Sequence, residues 1–147
     1  MQGYSIDVTG LLYDMVTTVS MHHCYDINEA SNEALIVGFA AESCNMDSVI
    51  AFSIPSSFTR MERLIIMDRN FRYVNSFDVS NFPSLQMVTI RTNSFTTVQN
   101  GYGDNPNRSF RMTNNTALAT LAIGSYSFSD YGGGFVLSST VDFVMLW

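Results

Sequence analysis

The sequence predicts a mainly β fold: a solenoid of stacked parallel strands with about 24 residues per coil. Three observations carry that reading. The first is a repeated grammar. Met61-Glu62-Arg63-Leu64-Ile65-Ile66, Asn70-Phe71, Val74 and Phe77-Asp78-Val79-Ser80 return as Leu85-Gln86-Met87-Val88-Thr89-Ile90, Ser94-Phe95, Val98 and Phe110-Arg111-Met112-Thr113. They return again as Leu118-Ala119-Thr120-Leu121-Ala122-Ile123, Ser127-Phe128, Tyr131 and Phe135-Val136-Leu137-Ser138. The second is the period, 24 residues from Met61 to Leu85 and 33 from Leu85 to Leu118, where one copy carries an insertion. Periods of this size with apolar residues at matching offsets signal stacked units rather than one central nucleus. The third is period-2 alternation inside each copy, the mark of a strand with one buried face.

Composition bounds the rest. The 147 residues amount to one domain, and 46% hydrophobic residues suffice for a continuous core. No uninterrupted apolar run approaches the roughly 18 residues that signal a membrane helix. Met1-Gln2-Gly3-Tyr4-Ser5-Ile6-Asp7 lacks the basic flank and compact apolar run of a secretory signal. The chain therefore reads as cytoplasmic rather than exported, unless it is a piece of a longer protein. Residues 1–59 hold seven acids and no Lys or Arg, whereas residues 60–111 hold all seven arginines against four acids. There is no lysine, which excludes a P-loop lysine and a Schiff-base lysine. A net charge of −6 makes a poor nucleic-acid binder, because phosphate neutralisation dominates that affinity. The central arginines read as a solvated face.

Residues 1–34 read as an N-terminal cap or degenerate coil, since an open solenoid end exposes apolar surface and strand edges. Leu11 to Val19 fits a short helix or a strand equally well. His22-His23-Cys24 holds metal-ligand types, but a structural zinc site wants four ligands in pairs and no second pair exists. No metal or other cofactor is expected. Cys24 and Cys44 are the only cysteines, too few for a disulfide scaffold. Cys44 falls where later copies place Phe71, Phe95 and Phe128, so it reads as a buried small hydrophobe in preference to half of a disulfide.

The solenoid proper runs over residues 35–147, and its first coil is degenerate. Leu35-Ile36-Val37-Gly38 matches the offset of Leu121-Ala122-Ile123-Gly124, with about four extra residues near Phe39 to Glu42. In the first strand of each coil, Leu35/Val37, Leu64/Ile66, Val88/Ile90 and Leu121/Ile123 point inward. Ile36, Ile65, Thr89 and Ala122 point outward. In the second strand, Phe52/Ile54, Phe77/Val79, Phe110/Met112 and Phe135/Leu137 point inward, leaving Ser53, Asp78, Arg111 and Val136 outside. Cys44, Phe71, Phe95 and Phe128 form a third buried column, supported by Val74, Val98 and Tyr131. Coils about 4.8 Å apart turn these columns into ladders of like residues.

Asp78 and Arg111 share an outward position in adjacent coils, which predicts a cross-strand ion pair. Gln99 to Arg108 is inserted, and its Gly, Asn, Asp and Pro content predicts a turn-rich surface loop, either a binding element or a tolerated decoration. Asn107-Arg108-Ser109 and Asn114-Asn115-Thr116 match glycosylation acceptor triplets, which matter only in a secreted protein. After Leu137 another coil begins, and its apolar end from Phe143 to Trp147 either folds back over the last coil or marks a truncation.

The run Phe77-Asp78-Val79-Ser80-Asn81-Phe82-Pro83-Ser84-Leu85-Gln86-Met87-Val88-Thr89-Ile90, continuing to Ser94-Phe95, resembles leucine-rich-repeat proteins. The resemblance is to the atypical, surface-protein-like repeats of unicellular eukaryotes. It returns in Leu118-Ala119-Thr120-Leu121-Ala122-Ile123-Gly124-Ser125-Tyr126-Ser127-Phe128 and in the insertion Asn100 to Phe110. It covers about residues 35–146, although Met61 replaces a leucine and the asparagine of the standard strand-to-turn step is absent. What the resemblance implies is a leucine-rich-repeat-like solenoid that binds or scaffolds and has no activity of its own.

The functional reading is therefore a non-catalytic protein-interaction module with a protein partner. Its first strands present Arg63, Ile65, Met67, Met87, Thr89, Arg91, Thr120 and Ala122 as an apolar strip flanked by arginines, as interface centres often are. The rival class is a carbohydrate-active enzyme on a parallel β-helix, which needs clustered carboxylates. Asp78 instead neighbours Ser53 and Arg111. No nucleophile elbow, zinc-binding His pair or nucleotide loop is present. A structural cell-surface protein differs from the leading reading only in location.

Overall fold

The computed structural model describes residues 18–20, 35–138 and 143–146, with side-chain surroundings for 35–138. Among the described residues the protein is mainly β, with no helix and ten strands. These are β1 (Thr18–Ser20), β2 (Ile36–Phe39), β3 (Ala51–Ser53), β4 (Arg63–Ile66), β5 (Ser76–Asp78), β6 (Met87–Ile90), β7 (Ser109–Thr113), β8 (Thr120–Ile123), β9 (Gly134–Ser138) and β10 (Phe143–Leu146). They form two sheets, in the order β1-β2-β4-β6-β8-β10 and β3-β5-β7-β9. Every pairing is parallel. From β2 onward the chain alternates between the sheets, so each sequence copy supplies one strand to each. No described helix is long and apolar enough to cross a membrane.

Register follows the alternation. Leu64, Val88 and Leu121 lie side by side in the larger sheet, as do Ile66, Ile90 and Ile123. All six are buried. Phe52, Phe77, Phe110 and Phe135 are register partners in the smaller sheet. Their rings stack nearly parallel at 5.3, 4.9 and 3.9 Å. The second column, Phe71, Phe95 and Phe128, stacks at 5.2 and 4.7 Å. The two columns meet edge to face, for example Phe77 on Phe95 at 83° and Phe110 on Phe128 at 87°. Both geometries suit the ring quadrupole, so each inner ring gains from its neighbours beyond its burial.

A left-handed residue recurs at this column. Phe71, Phe95 and Phe128 have φ of 56°, 56° and 59°, and Arg69, Asn93 and Tyr126, two residues earlier in each copy, have 56°, 57° and 65°. Such a φ is an outlier for a bulky side chain and costs roughly 1–2 kcal/mol per residue. Each phenylalanine is held there by its stack and by a backbone bond across copies: Phe95 N donates to Asn70 O at 2.8 Å and Phe128 N to Ser94 O at 3.0 Å. The turn lets one ring enter the core while the chain doubles back.

Beside the rings runs a polar column. Asn70, fully buried, accepts from Cys44 N at 2.9 Å through Oδ1 and donates through Nδ2 to Ala40 O and Met67 O at 2.7 and 3.1 Å. Asn70 N in turn donates to Ser94 Oγ, and Ser94 N to Ser127 Oγ. A buried polar side chain is tolerated when its hydrogen bonds are satisfied, and here each also ties one copy to the next.

Four expectations are corrected. The first strand is paired two residues later than expected. Val37 and Phe39, not Leu35 and Val37, lie against Leu64 and Ile66, and Leu35 is only half-buried. A slip of two keeps the same face inward, so alternation cannot detect it. Phe39, assigned to the extra residues, is a core residue at 5.0 Å from Phe71, and Gly38 pairs with Ile65 instead of matching Gly124. Second, Asp78 and Arg111 are register partners but form no ion pair: Asp78 Oδ1 accepts from Ser80 Oγ at 2.6 Å. An exposed pair contributes little, so a nearer hydroxyl suffices to take the carboxylate. Third, Cys44 is a buried core residue and is disulfide-bonded. The other cysteine, Cys24, lies outside the described residues, as does the rest of His22-His23-Cys24. Fourth, Phe135, expected inward, stacks on Phe110 yet is 54% exposed, because β9 is the edge strand of its sheet among the described residues and one face of the ring stack stays open.

Candidate functional site

The outward face of the larger sheet is assembled by register. Arg63, Met87 and Thr120 form one row, and Ile65, Thr89 and Ala122 the next. Met67 and Arg91 follow the ends of β4 and β6, with Met67 N on Phe39 O at 3.0 Å and Arg91 N on Ile66 O at 2.8 Å. The eight residues thus share one face. Their exposure divides them. Ile65 and Ala122 are buried at 4% and 6%, so the centre of the strip is not open surface. Arg63, Met67, Met87, Thr89 and Thr120 are half-buried, and Arg91 is exposed.

Next to Arg91 the face is dented. A depression of about 430 Å³ is lined, among the described residues, by Thr89, Arg91, Thr92 and Gly124. Gly124 lets the two backbones approach closely here, since a Cβ on it would stand 2.7 Å from the Arg91 carbonyl carbon and 2.8 Å from Thr92 N. Local bonds stiffen this rim. Thr92 N and Oγ1 both donate to Asp68 Oδ1, at 3.1 and 3.0 Å, and the Ser127 hydroxyl donates to Arg91 O. The Arg91 side chain extends from a rigid turn.

The insertion is not a loose decoration. Asn93 and Asn100 exchange bonds: Asn93 Nδ2 donates to Asn100 Oδ1 at 3.0 Å, and Asn100 N to Asn93 Oδ1 at 2.8 Å. Gly103 N and Asn105 N donate to Ser129 O and Asp130 O, both at 3.0 Å, so the loop runs beside the next copy. Its exit is anchored by Arg108, 3% exposed. Nη1 of Arg108 meets Asp130 Oδ1 at 3.1 Å, Nη2 donates to Arg72 O at 2.8 Å, and Nε donates to Asn75 Oδ1 at 3.0 Å. Asp130 also accepts from Thr97 N and Oγ1 at 3.2 and 2.8 Å. A buried charge pair is tolerable only with its remaining hydrogen bonds filled, and these contacts fill them.

Tyr131 completes the knot. Its ring lies 5.6 Å from the Arg108 guanidinium and its hydroxyl donates to Val74 O at 2.5 Å. Burial pushes the phenol well above its ordinary range; the nearby Arg108 charge pulls it down and Asp130 pushes it up. At the loop apex Tyr102 is 79% exposed, its ring 5.3 Å from that of Tyr126.

Arg108 and Asp130 are buried polar partners to which sequence reading assigned no pairing. Arg108 closes a run of loop residues and Asp130 follows the third ring, and no local pattern links them across 22 positions. Among the described residues there is no group of three or more His, Cys, Asp or Glu able to hold a metal ion. Comparison with protein-family models, curated proteins and solved structures returns no match.

Proposed function

We propose that this chain is a non-catalytic interaction or scaffolding module built as a leucine-rich-repeat-like solenoid. The observation that carries the reading is the constant parallel register of β4, β6 and β8, which aligns Arg63, Met87 and Thr120 and leads to the dent beside Arg91. The contact surface is narrower than the full strip. Arg63, Met67, Met87, Thr89, Arg91 and Thr120 offer surface, whereas Ile65 and Ala122 are buried. A fitting partner is a protein segment with a carboxylate for Arg91 and an apolar side chain for Met67 and Met87. The outward row of the smaller sheet favours binding over hydrolysis, since Asp78 stands between Ser53 and Arg111 and lacks the second carboxylate a glycosidase site uses.

The test compares immobilised wild type with Arg91→Glu and Met67→Glu variants in extracts of the source organism, after their melting curves are shown to match. A protein retained by wild type and lost by both variants supports this face. Equal recovery on all three overturns it.

A further inference from the structure

We propose that Asn107 is an acceptor of N-linked glycan, and that the chain passes through an oxidising, secretory compartment where that modification is made. Three observations converge. Asn107-Arg108-Ser109 has the carboxamide, the non-proline middle residue and the hydroxyl that the transfer requires. The triplet is also held in a geometry that accommodates a glycan. Asn105-Pro106-Asn107-Arg108 is a closed turn, with Arg108 N on Asn105 O at 3.1 Å and Asn107 N on Asn105 Oδ1 at 3.0 Å. Asn107 and Ser109 are exposed while Arg108 between them is buried, so the turn aims the carboxamide away from the protein. Among the described residues that carboxamide has no hydrogen-bond partner, so a sugar on it displaces none of their contacts. The third observation is independent of the triplet: Cys44 is disulfide-bonded, and such bonds persist in oxidising compartments.

In the transfer, Asn107 Nδ2 displaces pyrophosphate from the anomeric carbon of a lipid-pyrophosphate-linked oligosaccharide, supplied by the host with its transferase. A C–N bond forms and the C–O bond to the pyrophosphate breaks. The lipid pyrophosphate leaves with the electron pair, and the amide nitrogen gives up one proton. Asn114, in the second triplet, is exposed too, but its Nδ2 donates to Asn81 Oδ1 at 2.8 Å and its φ is 58°. Asn107 is therefore the primary acceptor.

The test uses the chain isolated from its own cells. Trypsin cuts after Arg91, Arg108 and Arg111, which separates Asn107 from Asn114. The peptide Thr92–Arg108 is expected to appear free of sugar only after peptide N-glycosidase, and then with Asn107 converted to an isotope-labelled Asp when the digestion is run in labelled water. In a secreting eukaryotic host, Asn107→Gln should lose one glycan from the intact mass and keep the parent's melting temperature after deglycosylation. Recovery of unmodified Thr92–Arg108 from the native chain overturns the assignment. So does a glycan lost with Asn114→Gln and retained in Asn107→Gln.

Discussion

Arg108 Nη1 and Asp130 Oδ1 meet 3.1 Å apart inside the protein, with 4% and 6% of their side chains exposed. Removing one partner of such a pair leaves the other charge buried without its counterion, which typically costs about 3–5 kcal/mol. Asp130→Ala should fall in that range in urea-induced unfolding. Arg108→Ala should cost about as much, and the double variant less than the two single losses combined. Additive losses would mean that the residues act separately.

Tyr131 makes stability fall at alkaline pH. Burial holds its phenol above the ordinary value of about 10, so the folded state keeps a proton that the unfolded chain releases. Stability from the neutral phenol is complete below the unfolded value and is lost as pH rises above it. Tyr131→Phe should flatten the decline in melting temperature above about pH 10. At neutral pH it should cost about 0.5–1.5 kcal/mol for the bond to Val74 O. A variant with the parent's alkaline slope would assign that slope to other tyrosines.

Phe95 is fully buried between Phe71 and Phe128, whereas Gln99 is exposed. Phe95→Ala should cost about 3–5 kcal/mol and Gln99→Ala less than about 0.5 kcal/mol. Thermal melts of the two variants decide the point. Similar melting temperatures would show that the second aromatic column contributes little.

Asn70→Ala should destabilise more than its size suggests. It strands the Cys44 amide, while the Ala40 and Met67 carbonyls keep Ser43 Oγ and Ser94 Oγ as donors, and a single unsatisfied buried group costs about 1–3 kcal/mol. Asn70→Asp keeps the acceptor for Cys44 N but lacks the amide donors, so it should not restore stability. Native-state hydrogen exchange should show the Cys44 amide losing protection in the alanine variant.

Much of the architecture is legible in the chain, and the misses have specific causes. Leu64/Ile66, Val88/Ile90 and Leu121/Ile123 alternate cleanly, so their inward face and mutual alignment follow from period alone. The first strand is misread by two positions because a two-residue slip preserves the face. Asp78 and Arg111 are aligned as expected, yet side-chain pairing depends on competitors such as Ser80, which an alignment does not weigh. In the candidate site, the rows of Arg63, Ile65 and their partners were readable, but the burial of Ile65 and Ala122 was not. Outward-pointing residues are exposed only if nothing lies over them.

The amino-acid order alone determined the spacing of the inward positions, the two aromatic columns and the surface course of the insertion, because these depend on periodicity and on residues near in sequence. Tertiary structure decided the rest. It brought Arg108 to Asp130, placed Asn70 against three backbone groups of other segments, held phenylalanines at left-handed φ, and buried Ile65 while leaving Phe135 half open. Each of these depends on which copy lies next to which, and on where a stack ends. A local pattern carries neither.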